Sequence, residues 1–320
     1  MAVIRTHPRL CPVCQVPTPV TEVMPERLDG ANLDAFAFAS RKEPDAMNLR
    51  MVECRGCGVL FATPAPTPED LANLYRSASF DTADAGDAAA RTYAGLVDGI
   101  AGRMPDRAGA LDIGTGTGSF LAELLARGWT NVRGVEPSEA PVAMARPEVR
   151  ALIIPEVFRD GMFGDERFRL VTCFQTMEHV PDPLALARSV RATLKPGGAF
   201  MVVVHDRRFW LNRVLGNRSP IMDIEHLQLF CPRSLTRLLR HAGYRAVEVR
   251  PVTNAYPLEY WVRLLPRPRP VKTLVQRVLG PWRRRMVRVS VGNLRGVGWV
   301  CGEGAVPRSC QTGFGIRCHS

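Results

Sequence analysis

No apolar run in this 320-residue chain approaches the roughly 18 to 20 residues that span a bilayer, and Met1 to Cys14 lacks the apolar core of a secretory signal. The expectation is a cytoplasmic protein, with any membrane contact peripheral and on the inner face. Cysteine is limited to nine residues, an odd count in a chain without an export signal, which argues for reduced thiols and metal ligation over disulfides. Aromatic residues make up only 7%, and no RNA-binding motif is present, so nucleic acid is disfavoured as a partner. Internal repeats and long low-complexity tracts are absent, which excludes a solenoid. Acidic residues are missing from one stretch. Between Trp261 and Val300 there are ten Arg or Lys and no Asp or Glu, which accounts for most of the net charge of +11. A basic patch on a nearly neutral body points to an anionic surface or substrate.

The chain does carry enough apolar residues, 46% at a mean hydropathy of −0.05, to bury a core, and its length suits one full domain with an appendage. Four segments separate by composition: residues 1–62 with two Cys-x-x-Cys pairs, a helical linker or lid over 63–108, a main domain over 109–300 containing a basic insertion at 256–289, and a tail over 301–320 expected to be disordered. In the linker, Thr67 is a candidate N-cap, with Pro68 in the first helical position and a helix through Leu71, Leu74 and Tyr75. A second helix is expected around Ala88 to Met104.

In the main domain short apolar runs read as strands: Ala110–Ile113, Val132–Val135, Ala151–Ile154, Leu170–Phe174, Ala199–Val204, Ala246–Val249 and a final one over Val289–Val300. Helical periods at Phe120–Arg127, Leu184–Leu194 and Ser234–His241 fall between several of them. This alternation predicts an α/β doubly wound, mostly parallel sheet with helices on both faces. Lys195-Pro196-Gly197-Gly198 reads as a helix stop and turn before a buried strand.

The most informative run is Leu111-Asp112-Ile113-Gly114-Thr115-Gly116-Thr117-Gly118-Ser119-Phe120. An apolar strand ends beside an acid, three alternate glycines follow, and an apolar helix begins. Glycines let the backbone approach a ligand, and the helix start presents unpaired N–H groups to it. Dinucleotide enzymes use a related G-x-G-x-x-G, but here Ser119 stands where that pattern has its third glycine. A second apolar strand ends in Glu136-Pro137, placing a carboxylate where it can accept both hydroxyls of a ribose.

These two elements, with the run Gln175-Thr176-Met177-Glu178-His179-Val180-Pro181-Asp182-Pro183 and the later Leu194-Lys195-Pro196-Gly197-Gly198, resemble the ordered motifs of the class I S-adenosylmethionine-dependent methyltransferases over Gly109–Val249. The resemblance implies a Rossmann-like seven-stranded sheet and S-adenosyl-L-methionine as cofactor. In family terms Asp112, Gly114, Thr115, Gly116, Gly118, Glu136 and Pro137 are expected cofactor contacts, with Gln175 and Met177 near its methionine end and adenine contacts around Pro155, Glu156 and Val157. Methyl transfer from a sulfonium chiefly requires alignment, and a hydroxyl acceptor benefits from a general base. His226, within Asp223-Ile224-Glu225-His226-Leu227, is the first candidate, followed by His205 and His179. Some quinone-pathway O-methyltransferases of the superfamily carry E-x-x-E-H as a metal site. Gln175 replaces the first acid here, so no catalytic metal is predicted.

Cys11-Pro12-Val13-Cys14 and Cys54-Arg55-Gly56-Cys57 supply four thiolates in two knuckles, a set suited to structural tetrahedral Zn(II). With the Pro68-Glu69-Asp70-Leu71 helix, this arrangement resembles zinc-ribbon-bearing methyltransferases that modify sugars and other small metabolites. The expected acceptor is a small molecule or a glycan- or lipid-linked group, with O-methylation ahead of C- or N-methylation. An RNA methyltransferase and a non-catalytic zinc-ribbon binding module remain as alternatives. The basic insertion interleaves Trp, Leu and Val with arginines, which suits either peripheral contact with an anionic membrane or a solvated helix covering the sheet or a dimer contact.

Overall fold

A computed structural model describes residues 5–28, 47–76, 84–263, 275 and 277–301. The tail beyond Cys301, most of the spacer between the two cysteine pairs and residues 264–274 and 276 of the basic insertion lie outside the described residues. The N-terminal part contains β1 (Thr6–His7), β2 (Val20–Met24), β3 (Met51–Cys54), β4 (Leu60–Ala62) and β5 (Ala65–Pro66), followed by α1 (Pro68–Arg76) and α2 (Asp84–Ala101). Thr67 caps α1 by accepting the Asp70 N–H at 3.3 Å. The main domain runs β6 (Ala108–Ile113), α3 (Ser119–Ala126), β7 (Thr130–Val135), α4 (Glu139–Ala143), α5 (Pro147–Arg150), β8 (Ile153–Ile154), β9 (Phe168–Phe174), α6 (Pro183–Thr193) and β10 (Leu194–His205). It continues with α7 (Trp210–Leu215), β11 (Gln228–Leu229), α8 (Pro232–His241), β12 (Ala246–Pro257), α9 (Leu258–Arg263) and β13 (Met286–Trp299).

Seven strands form one sheet in the order β12-β13-β10-β9-β6-β7-β8. The five from β10 to β8 are parallel to one another, and β13 is antiparallel to both β10 and β12. The fold is thus a doubly wound Rossmann-like sheet with one antiparallel strand. Period-2 alternation assigns its two faces. Leu111, Val171, Cys173, Phe200 and Val202 enter one core, while Ala110, Leu170, Phe174, Met201 and Val203 enter the opposite core against α2 and α3. The sequence Lys195–Gly198 does not leave the sheet. It is a register break within β10, between Leu194 and Ala199, with Gly197 at φ +77°. Lys195–Gly198 have no partner on β9, so the expected turn is taken up as a bulge, held on its other side by Gly197 and Gly198 bonding to Val300.

The N-terminal lobe shares its core with this domain. Cys11, Val13, Val52 and Phe61 pack in the same cluster as Val171, Phe200 and Leu235. The lobe's sheet, ordered β11-β4-β3-β2, takes its edge strand from Gln228–Leu229, far along the chain. A two-residue strand carries no periodicity, so sequence patterning holds no sign of it.

Candidate functional site

Ligands of parallel sheets bind beyond the carboxyl ends of the strands, and the candidate residues gather there. At the end of β6 the glycine loop turns sharply. Gly114 (φ +78°) has no room for a β-carbon, which would collide with the Thr176 side chain, whereas Gly116 (φ +57°) faces open space. A cradle left open at Gly116 fits a bulky ligand lying on the loop backbone. Glu136, at the end of β7, is buried, and its two oxygens accept the N–H groups of Gly116 (2.8 Å) and Ser138 (3.0 Å). Burial raises its pKa above the ordinary carboxylate value. Asp112 is also buried, accepts the Thr172 hydroxyl at 2.6 Å, and is pushed up to about 7 by desolvation.

Gln175 follows β9 in a left-handed conformation (φ +52°) that non-glycine residues seldom adopt. Its N–H is held by the Val203 carbonyl at 2.7 Å, while its buried side-chain Oε1 has no hydrogen-bond partner among the described residues. Strain and an unsatisfied acceptor at one position mark a place kept for something else. Met177, two residues on, is fully buried in the core, and its carbonyl accepts from Gln228 Nε2.

The three histidines singled out by sequence come together. The His226 ring lies 4.8 Å from that of His179 and 5.2 Å from that of His205, centroid to centroid. His226 Nδ1 is 2.9 Å from the Ile221 carbonyl and His179 Nδ1 is 3.1 Å from the Glu225 carbonyl. A carbonyl only accepts, so each Nδ1 carries the proton and the neutral ring keeps its basic lone pair on Nε2. Burial lowers the His179 pKa below the ordinary imidazole value, which keeps that ring neutral near pH 7. His205 Nδ1 lies 3.2 Å from Oε1 of the fully buried Glu178, which also accepts the His205 backbone N–H at 2.6 Å.

Two residues join this cluster that the sequence pattern does not single out. Tyr75, from α1, meets the His179 ring edge-on at 6.0 Å and donates its hydroxyl to the Glu225 carbonyl at 3.3 Å. Burial pushes its phenol pKa well above the ordinary value. Glu225 places a carboxylate oxygen 3.9 Å from His179 Nδ1. Donor atoms of His179, Glu225 and His226 lie within 4.8 Å of one another, a spacing that could surround a cation.

The second donor group is the four cysteines, also within 4.8 Å of one another and all buried. Cys11 and Cys57 sulfurs are 3.6 Å apart and those of Cys14 and Cys54 are 3.8 Å apart. A tetrahedron with Zn–S bonds of about 2.3 Å has edges of about 3.8 Å, so the thiols fit that ion closely. The Gly56 carbonyl, in the second knuckle, accepts from Arg233 and Arg237 of α8, tying the centre to the main domain.

Residues 87–249 match a family described as "Methyltransferase domain". A ubiquinone biosynthesis O-methyltransferase of Marinobacter nauticus is 31% identical over 170 residues, covering 47% of this chain and 71% of the relative. The protein of the same name from Ralstonia nicotianae is 29% identical over 168 residues, covering 47% and 70%. Among solved structures, the CcbJ methyltransferase of Streptomyces caelestis is 16% identical with a TM-score of 0.40, covering 69% of this chain and 97% of that one.

Proposed function

The chain belongs to the S-adenosylmethionine-dependent methyltransferases, and from that premise we propose that it methylates a hydroxyl of a small-molecule, glycan or lipid-linked acceptor, with His226 taking the hydroxyl proton. The observation that carries this reading is the convergence of His179, His205 and His226 at the carboxyl end of the sheet, each with Nδ1 held by a carbonyl or carboxylate. A base so fixed spends little orientation entropy when the acceptor arrives.

Residue roles follow from placement. The loop Gly114–Gly118 and Glu136 hold the cofactor, with the Glu136 oxygens matched to a ribose diol. Gln175 presents its unpartnered amide oxygen toward the methionine end. Asp112, just before the loop, accepts the Thr172 hydroxyl, which ties the end of β6 to β9. When bound, S-adenosylmethionine supplies a methyl group on a positively charged sulfur, activated for in-line displacement. His226 Nε2 accepts the acceptor's proton, Tyr75 and Glu225 frame the His179 side of the cluster, and Glu178 holds His205. The four cysteines hold one structural Zn(II) that shapes the lobe.

Incubation with methyl-labelled cofactor and cell extracts, separated into small-molecule, glycan, lipid and RNA fractions, tests the acceptor class. Label is expected in the glycan, lipid or small-molecule fraction, and label confined to RNA contradicts the proposal. Metal analysis of the wild type against Cys54→Ser should show loss of about one equivalent of zinc, and equal metal in both refutes the four-cysteine site.

A further inference from the structure

The basic segment remains unused by this chemistry, and its placement is informative. β13 runs antiparallel to β10 with Asn293 opposite His205, so Met286–Gly292 extends past the carboxyl end of β10, the edge where the histidines sit. There it pairs with β12 from Asn254 to Pro257, forming a ribbon that projects beyond the sheet. The ribbon is anchored on its inner side. Tyr256 is buried and stacks on Tyr260 at 4.2 Å, and Trp261 Nε1 donates to the Val287 carbonyl at 3.1 Å.

Its tip is different. A cleft of about 380 Å³ is lined by Arg277, Gly280, Pro281, Arg283 and Arg284. Between Pro251 and Cys301 the sequence holds a single acid, Glu259, whose carboxylate lies 3.7 Å from Arg283 Nε, so most of this positive charge has no acidic counterpart within the segment. Large apolar side chains stand exposed beside the arginines: Val278 at 79% and Trp282 at 61%, with the Arg285 guanidinium 5.4 Å over the Trp282 ring. At the same carboxyl edge α7 follows the end of β10. It exposes Trp210 (65%) and Val214 (75%) one turn apart, and Phe209 just before it abuts Gly292 of the ribbon. Tryptophan with arginine at a surface suits the headgroup layer of an anionic bilayer, where the ring sits among glycerol groups and the guanidinium on phosphate.

We propose that this edge docks the enzyme on an anionic lipid surface, with Arg277, Arg283 and Arg284 binding lipid phosphates and Trp282 and Val278 entering the headgroup layer. The inference rests on the methyltransferase reading only for its consequence, which is that the histidine cluster is brought to the membrane side. The exposed apolar groups and the open cleft favour a lipid surface over a soluble phosphate ester.

The test is co-sedimentation of the full chain with vesicles, measured without any acceptor. Binding is expected to phosphatidylcholine vesicles containing about one-third phosphatidylglycerol, to fall steeply between roughly 0.05 and 0.3 M salt, and to be absent with pure phosphatidylcholine. Replacing Arg277, Arg283 and Arg284 together by Gln should weaken partition by about a hundred-fold, and Trp282→Ser by about tenfold. These side chains are exposed, and unchanged calorimetric affinity for S-adenosylmethionine verifies that the variants fold. Undiminished binding of the triple variant, no binding of wild type to anionic vesicles, displacement by millimolar inorganic phosphate, or tighter binding to tRNA than to the vesicles overturns the proposal. A wild type that binds vesicles but not S-adenosylmethionine would sink the methyltransferase reading and leave this one standing.

Discussion

The groups between Asp112 and Ser138 that are proposed to hold the cofactor come from one strand–helix–strand stretch. The histidine cluster proposed for acid–base work instead takes Tyr75 from α1, Glu178 and His179 from the loop after β9, His205 from the end of β10, and Glu225 and His226 from the segment before β11. One half of the site is built by local backbone geometry and the other by long-range packing. The second half therefore depends on whatever holds distant segments together, and here that is largely the cysteine lobe. Leu227 and Gln228 donate their N–H groups to the Glu178 carbonyl at 2.9 and 3.2 Å, while the Leu227 carbonyl accepts from Ala62 at 2.8 Å. The fully buried Gln228 side chain donates to the Met177 and Val180 carbonyls and accepts from Arg9, two residues before Cys11. Glu53 of β3 pairs with Arg207 at 2.6 Å, just beyond His205.

The largest expected effect that separates the halves is at His226. His226→Ala should slow methyl transfer about 10²- to 10⁴-fold, the range for a lost general base, while cofactor affinity stays within about twofold. Equal loss of both would mean that the histidine serves the cofactor half. Glu136→Ala should do the reverse and weaken S-adenosylmethionine binding by roughly 30-fold, as expected for charge-assisted hydrogen bonds worth about 2 kcal/mol. A change under threefold by calorimetry would remove Glu136 from the ribose site.

Gln228→Leu probes the strap between lobe and cluster. It strands two buried carbonyls and one Arg9 N–H, so unfolding free energy should fall by about 2 to 3 kcal/mol in urea titration. Hydrogen exchange should rise in residues 176–180 but not in the glycine loop, and uniform exchange across both halves would contradict their separate construction.

A further effect, on stability alone, concerns pH. A carboxyl with a folded-state pKa of about 7 at Asp112 keeps its proton where the unfolded chain, with a value of about 3.9, has released it. Stability of the cofactor-free protein should therefore fall as pH rises from about 4 to 7, with this group contributing up to about 1.4 kcal/mol per pH unit. Asp112→Asn should flatten that slope. A parallel profile in the variant would mean that another group sets it.

The same contrast governs what the sequence reveals. The central strands β6, β9 and β10 show as short apolar runs because both faces are buried over Gly109–Ile113, Phe168–Phe174 and Ala199–Val204, and the glycine loop is readable because its glycines and its acids lie within one stretch. His226 is legible as a residue type but its neighbours are not. Tyr75 reads as an apolar helix position, and Glu225 as one more acid beside Asp223. The apolar pattern of β12 stops at Val249, since Pro251 and Asn254 interrupt its alternation. The strand continues to Pro257 because β13 pairs with it beyond the sheet. Met177 sits in a motif yet turns its side chain into the core, a distinction that only packing makes.

A calorimetric titration of zinc-loaded protein with S-adenosylmethionine tests the cofactor site most directly. Saturable binding at one site per chain, undisturbed by a nicotinamide dinucleotide, is the predicted result. A flat titration, or displacement of the heat by the dinucleotide, would contradict it.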